Sequence, residues 1–154
     1  MKKLGVIIIL LIVTTIRGFA QENKNSYSRV QKIQREAEKG NAEAQYELGK
    51  AYFFGIVFEE NLTNAVKWYE MSAKQGCVAA QFDLGVCYYL GSGVEKNFIE
   101  AAKWFEKAAE QNYPTAQFNL GNCYEKGEGV DVNLTEAAKW YKKAAEQGLA
   151  DAQL

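Results

Sequence analysis

Beyond residue 40 the apolar positions recur at three- and four-residue intervals, in segments broken by short polar or glycine-bearing stretches. In one segment Ala80, Leu84, Cys87, Tyr88 and Leu90 share this spacing, which predicts a helix with one buried face. Gly91-Ser92-Gly93 interrupts it, and a second helical pattern runs through Ala101, Trp104, Phe105 and Ala108 to Gln111. Asn97 stands where the second helix should begin. Glu100 follows three residues on, the spacing of a capping box. Asn133 with Glu136 repeats the device, and Asn61 with Asn64 is a weaker version. Asn112 closes this segment where Gly76 and Gly148 close its neighbours; both residue types tolerate the left-handed backbone that follows a helix.

The alternation is itself periodic. Leu48-Gly49 recurs as Leu84-Gly85 and Leu120-Gly121, each 36 residues on. Tyr52, Tyr88 and Tyr124 keep that step, as do Gly55, Gly91 and Gly127, and Ala65, Ala101 and Ala137. The only tryptophans, Trp68, Trp104 and Trp140, also fall on it, each followed by an aromatic residue: Tyr69, Phe105 or Tyr141. So many positions in register without a gap establish three copies of one helix pair. Glycine inside a helix loses about 1 kcal/mol relative to alanine. Its return at Gly49, Gly85 and Gly121 therefore implies a partner helix too close for a side chain, with Ala65, Ala101 and Ala137 across the contact. The Trp and Tyr positions of the repeat are expected to fill the gaps between helices.

These residues resemble the Sel1-like repeat, a relative of the tetratricopeptide repeat. The second unit carries its pattern in Ala80, Leu84, Gly85, Tyr88, Gly91, Gly93, Val94, Ala101, Trp104, Phe105, Ala108 and Ala109. The third matches through Ala116, Leu120, Gly121, Tyr124, Gly127, Gly129, Val130, Ala137, Trp140 and Tyr141. The first departs at its turn, where Gly55-Ile56-Val57-Phe58 lacks the second glycine. The implied fold is all-α: a right-handed α/α superhelix, or solenoid, of antiparallel helix pairs. Its units are 40–75, 76–111 and 112–147. Within 21–39, Ser26 to Lys39 reads as a capping helix with Tyr27, Val30, Ile33 and Ala37 on its apolar stripe, as terminal repeats require, and Gln21–Asn25 reads as flexible. Residues 148–154 read as the start of a fourth unit, since Ala152-Gln153 repeats Ala116-Gln117. That segment is either the beginning of a longer array or the whole C-terminal cap.

The first twenty residues have a different character. Lys2 and Lys3 precede an uncharged run of 13 residues, Leu4–Ile16, and Gly18-Phe19-Ala20 places small residues at a cleavage site. This is the pattern of a signal peptide, 1–20; the apolar run is short of the ~20 residues that span a bilayer. The expectation is an exported protein, periplasmic or secreted, with no stable membrane span after cleavage near Ala20; an uncleaved anchor is the alternative. Cleavage would remove Lys2, Lys3 and Arg17 and no acid, leaving 15 basic against 19 acidic groups, a net −4.

Composition narrows the chemistry. The 154 residues include 18 Lys and Arg, 19 Asp and Glu, and no histidine. A histidine-based triad, histidine metal ligands and an imidazole switch are thereby excluded, and near-neutral charge gives no field for holding nucleic acid. Some secreted Sel1-like proteins are associated with penicillin binding or β-lactamase activity, so the resemblance implies an envelope enzyme as an alternative. None of Ser26, Ser28, Ser72 and Ser92 has a lysine three residues on, and the Ser-x-x-Lys motif of such enzymes is absent. Glu106, Glu110 and Glu146 read as solvated carboxylates on helix surfaces. The sequence offers no catalytic residue, no metal ligand set and no cofactor motif. The resemblance also implies disulfides between the helices of one repeat, but Cys77 and Cys87 lie ten residues apart on one predicted helix, and Cys87 and Cys123 occupy equivalent positions in neighbouring units. All three read as small core residues. Asn61-Leu-Thr63 and Asn133-Leu-Thr135 match a glycosylation acceptor, but Asn97 holds the same cap position without one.

What remains is a surface. The resemblance implies that the first helix of each pair lines a concave face. Aligning the Leu-Gly pair to the tetratricopeptide groove places Lys50, Phe53 and Phe54 there from the first unit, Val86, Tyr89 and Leu90 from the second, and Asn122, Glu125 and Lys126 from the third. The groove should be apolar and aromatic at its N-terminal end and polar toward the other. The expected function is a scaffold for a protein or peptide ligand, with a small-ligand or glycan binder as a further alternative.

Overall fold

The computed structural model describes residues 27–56 and 58–148. Among these residues seven helices follow one another: α1 (27–38), α2 (Ala42–Phe53), α3 (Leu62–Lys74), α4 (Val78–Leu90), α5 (Phe98–Glu110), α6 (Pro114–Lys126) and α7 (Leu134–Glu146). No strand occurs among the described residues. Substantial packing within α2 to α7 joins helices consecutive in sequence, within each pair and from one pair to the next. That is a solenoid, in which each unit buries its apolar face on its neighbours rather than in one central core. Residues 1–20, read from sequence as a signal peptide, residues 21–25, read as flexible, Ser26 and Val57 lie outside the described residues, as does the expected fourth-unit start after Gly148.

The second helix of every pair starts at its asparagine. The side-chain oxygens of Asn61, Asn97 and Asn133 accept from the backbone N–H groups of Asn64 (2.9 Å), Glu100 (3.1 Å) and Glu136 (3.1 Å). The return half of the expected capping box does not form. The N–H of Asn61, Asn97 and Asn133 donates instead to the carbonyl of Tyr52, Tyr88 or Tyr124 in the preceding helix. With that donor taken, Glu100 pairs with Lys103 (2.7 Å) and Glu136 with Lys139. At the other end Asn112 has φ 61°, the one positive φ outside glycine among the described residues, and matches Gly76 and Gly148 in register.

The helical glycines meet a ring. A β-carbon on Gly49, Gly85 or Gly121 would stand 2.6–2.7 Å from the ring of Tyr69, Phe105 or Tyr141, and 3.3 Å from the Ala65 or Ala101 carbonyl in the first two units. Close approach was legible; its agent is the aromatic residue after each tryptophan. Tyr69 and Phe105 are 2 % exposed, whereas Trp104 is 9 % exposed and Trp68 and Trp140 are half-buried. On α1, Val30 and Ala37 are buried and Ile33 half-buried, while Tyr27 stays exposed and leaves the expected stripe. At the far end, Ala138 of α7 is exposed, although its equivalent Ala102 in α5 is buried by the third unit.

Buried amides bind the units together. Gln45, Gln81 and Gln117 donate to the carbonyls of Ala37, Ala73 and Ala109, each at 3.1 Å. Their own side-chain oxygens accept from Gln75 (2.7 Å), Gln111 (2.7 Å) and Gln147 (2.8 Å). Each such glutamine touches the helix before it and the helix after it. Both polar ends are satisfied, which is what allows an amide in an apolar interior.

Candidate functional site

Three depressions follow one another along α2, α4 and α6. The first, about 380 Å³, lies between α1 and α2 and is lined by Arg29, Ile33, Glu47, Lys50 and Phe54 among others. The middle one, about 140 Å³, is walled by Phe53, Phe54, Tyr69, Asp83, Val86 and Ser92. The third, about 170 Å³, holds Val86, Tyr89, Leu90, Asn119, Asn122 and Lys126. Phe54 borders the first two and Val86 the last two, so the three lie side by side in a row, called the groove below.

Eight of the nine residues singled out from sequence line these walls: Lys50, Phe53, Phe54, Val86, Tyr89, Leu90, Asn122 and Lys126. Glu125 does not; it is exposed and accepts from the Tyr141 hydroxyl at 2.8 Å. The third unit carries Tyr141 where the second carries Phe105, and its hydroxyl lies within hydrogen-bond distance of both Asn122 and Glu125. Phe54 and Leu90 project fully, at 65 % and 62 % exposed. Phe53 and Tyr89 are half-buried: Phe53 lies against Phe54 and Tyr69, and Tyr89 against Phe98 and Phe105, with its hydroxyl donating to Glu128 at 2.8 Å. The expected polarity gradient is modified, because Arg29, Glu47 and Lys50 already make the first depression polar.

Each depression also has a polar residue that the sequence reasoning passed over: Glu47, Asp83 and Asn119, 36 residues apart and one helical turn before Lys50, Val86 and Asn122. The repeat period was the available signal. Asp83 stands apart among them. Its Oδ2 accepts from the Tyr46 hydroxyl at 3.0 Å, and no lysine or arginine among the described residues pairs with it. Burial pushes its carboxyl above the ordinary value, opposed by the Tyr46 bond and by the charge of Lys50. Lys50 is committed elsewhere: its ammonium pairs with Glu47 and lies 4.6 Å from the Tyr46 ring centre.

Away from the groove the charged side chains pair along their own helices, as Glu70 does with Lys74 and Glu146 with Lys142. Lys107 and Lys143 lie over the rings of Trp104 and Trp140. The three cysteines are free thiols, Cys87 and Cys123 buried and Cys77 half-buried. Burial pushes the Cys87 thiol up to about 12 and that of Cys123 up to about 11. Among the described residues no group of three or more Cys, Asp or Glu is placed to hold a metal ion, and no helix is long and apolar enough to cross a membrane.

Comparison with known proteins agrees with this architecture. The family model described as Sel1 repeat matches three times, at residues 42–77, 78–113 and 114–149. A protective antigen present in uropathogenic Escherichia coli strains, with an SLR fold, is 41% identical over 80% of this chain with a TM-score of 0.78; this chain covers 27% of that one. A Sel1 repeat protein from Oxalobacter formigenes is 38% identical, covering 81% of this chain and 94% of its own, with a TM-score of 0.75. Cysteine rich protein B of Helicobacter pylori, 21% identical with a TM-score of 0.66 over 85% of this chain and 94% of its own, shares the fold. The search of curated proteins returned no match. With three consecutive units matched and the helix pairs stacked as those units require, the chain belongs to the Sel1 repeat family.

Proposed function

We propose that this chain is an exported, non-enzymatic scaffold that holds a protein segment, as a peptide or a helix, in the groove along α2, α4 and α6. Sel1 repeats generally serve as protein-interaction scaffolds. The groove reading rests on one observation above all: Phe54 and Leu90, both more than half exposed, line adjacent depressions that each also include a polar residue, Glu47, Asp83 or Asn119. Large apolar side chains that face solvent inside a concave surface are the usual anchors of recognition. The absence of histidine and of a Ser-x-x-Lys motif supports a non-catalytic role.

Affinity capture from the native cell envelope tests the binding face, with residues 21–154 as bait beside a Phe54→Ala/Leu90→Ala double variant. A partner retained by the first and lost by the second is expected; the same partners on both would refute the groove. Export rests on Lys2, Lys3 and the apolar run that follows. Intact-mass measurement of the exported protein should find a chain beginning at Gln21, and a retained Met1 would overturn cleavage.

A further inference from the structure

We propose that the middle depression receives a cationic side chain, lysine or arginine, from the bound segment, with its ammonium or guanidinium on Asp83 and its aliphatic stem against Phe53, Phe54 and Val86. This rests on the groove reading above and names the chemistry of what the groove takes.

Three observations carry it. First, Asp83 is a carboxylate without a cation. Tyr46 supplies its one hydrogen bond, at Oδ2, and Lys50, the cation whose charge it feels, is held by Glu47. Second, the remaining oxygen is open to the depression. Every buried side-chain oxygen or nitrogen among the described residues has a partner, so Oδ1, for which no partner is found, is not sealed off, and Asp83 lines the depression. Third, the walls suit a long amphipathic side chain. Phe53, Phe54 and Tyr69 present ring surface and Val86 an aliphatic one; lysine and arginine lay their stems on such surfaces with the charged head at a polar end, and ring faces attract the cation itself. At about 140 Å³ the space is on the scale of one side chain. A metal ion is a poor fit, since a single carboxylate falls far short of the ~6–8 oxygens that calcium takes.

The neighbouring depressions differ. Glu47 of the first is neutralised by Lys50. The third carries Asn119 at the position of Asp83, with Lys126 nearby. The preference for a cation is therefore local to the α2–α4 junction, and the Tyr46–Asp83 pair is what distinguishes it: the residues equivalent to Tyr46 are Phe82 and Phe118, without a hydroxyl.

A displayed library of random peptides, selected in parallel on residues 21–154 and on the Asp83→Asn variant, tests the proposal. Asparagine keeps an oxygen for the Tyr46 hydroxyl while removing the charge. Peptides enriched on the wild type should share a lysine or arginine beside apolar residues, and the variant should lose that preference. For one enriched peptide, replacing the lysine by norleucine should weaken binding to the wild type about tenfold, the scale of a charged hydrogen bond. That measurement needs no variant protein and stands if Asp83→Asn fails to fold. Enrichment without basic residues, or equal affinity for the norleucine peptide, would overturn the cation site; if those peptides still depended on Phe54 and Leu90, the groove itself would stand. No enrichment at all would overturn both.

Discussion

Replacing Gly85 by alanine sets two opposed effects against each other at a position where both can be sized. Alanine should gain about 1 kcal/mol of helix propensity over glycine. Against that, its β-carbon would lie 2.7 Å from both Cδ1 and Cε1 of Phe105 and 3.3 Å from the Ala101 carbonyl oxygen. Ordinary contact needs about 3.5–4.0 Å, so the ring must retreat by about 1 Å. Phe105 is 2 % exposed and lies against the rings of Phe82 and Tyr89; it has nowhere to go. Overpacking of this kind costs about 1–3 kcal/mol. With no relaxation available the upper half of that range applies, and Gly85→Ala should destabilise by about 1–2 kcal/mol net. Gly121→Ala makes the same clash with Tyr141, at 2.6 Å, but Tyr141 is half-buried in the last described helix and can swing outward. Its expected effect is within about 1 kcal/mol of zero, because the propensity gain offsets a relieved contact. Urea unfolding of the two single variants beside the wild type, compared at a common slope, measures both. A Gly121→Ala loss equal to that of Gly85→Ala, or a Gly85→Ala variant more stable than wild type, would refute the ring as the reason for glycine.

Asn97→Ala removes the 3.1 Å cap bond to Glu100 and should cost about 1 kcal/mol by thermal denaturation, the usual value for an N-cap. Gln81→Met loses two hydrogen bonds at a unit junction, to Ala73 and from Gln111; at about 1 kcal/mol each, calorimetry should show a loss of about 2 kcal/mol. Alkylation of the native protein at mildly alkaline pH should label Cys77 alone, since burial holds Cys87 and Cys123 at about 12 and 11, and denaturant should expose all three; native labelling of Cys87 at the rate of Cys77 would contradict that burial. Asp83 carries a carboxyl raised by burial, so ionising it opposes folding. The penalty is absent below the ordinary carboxylate range and grows as pH rises through the raised folded value. Asp83→Asn should therefore raise the melting midpoint at neutral pH and leave it unchanged in acid below about pH 3.5, and a lowered midpoint at neutral pH would count against the reading.

The helices were legible because each is written three times. Leu84-Gly85, Trp104 and Asn97 keep one step with their counterparts, and that register located the pairs, the caps and the left-handed site at Asn112 before any contact was known. What escaped were consequences of one helix meeting another. Glu100 could not be known to turn toward Lys103, because the Asn97 N–H is claimed by the Tyr88 carbonyl, nine residues earlier. Nor could the ring against Gly85 be assigned to Phe105 over Trp104, since both stand on the inward side of α5. Of the nine residues that the Leu-Gly alignment picked out, eight line the depressions. Glu125 stands outside them, exposed and accepting from the Tyr141 hydroxyl. Asp83 resembles any charge on a helix surface; its half-burial depends on Tyr46, 37 residues away.

The paired glutamines carry a consequence for how such a chain changes length. Gln81 reaches back to Ala73 and is reached by Gln111; Gln117 reaches back to Ala109 and is reached by Gln147. Every junction makes the same bonds with the same spacing, so junctions are interchangeable. Excising 78–113 would bring Gln117 to Ala73 and leave its other partner, Gln147, in place. The glutamine bonds would survive, while Tyr46 would meet Asn119 in place of Asp83. Duplication or loss of whole units can then alter the number and order of groove depressions while keeping these junction bonds, but the Asp83 depression, walled by residues of the first and second units together, persists only where those two units stay adjacent.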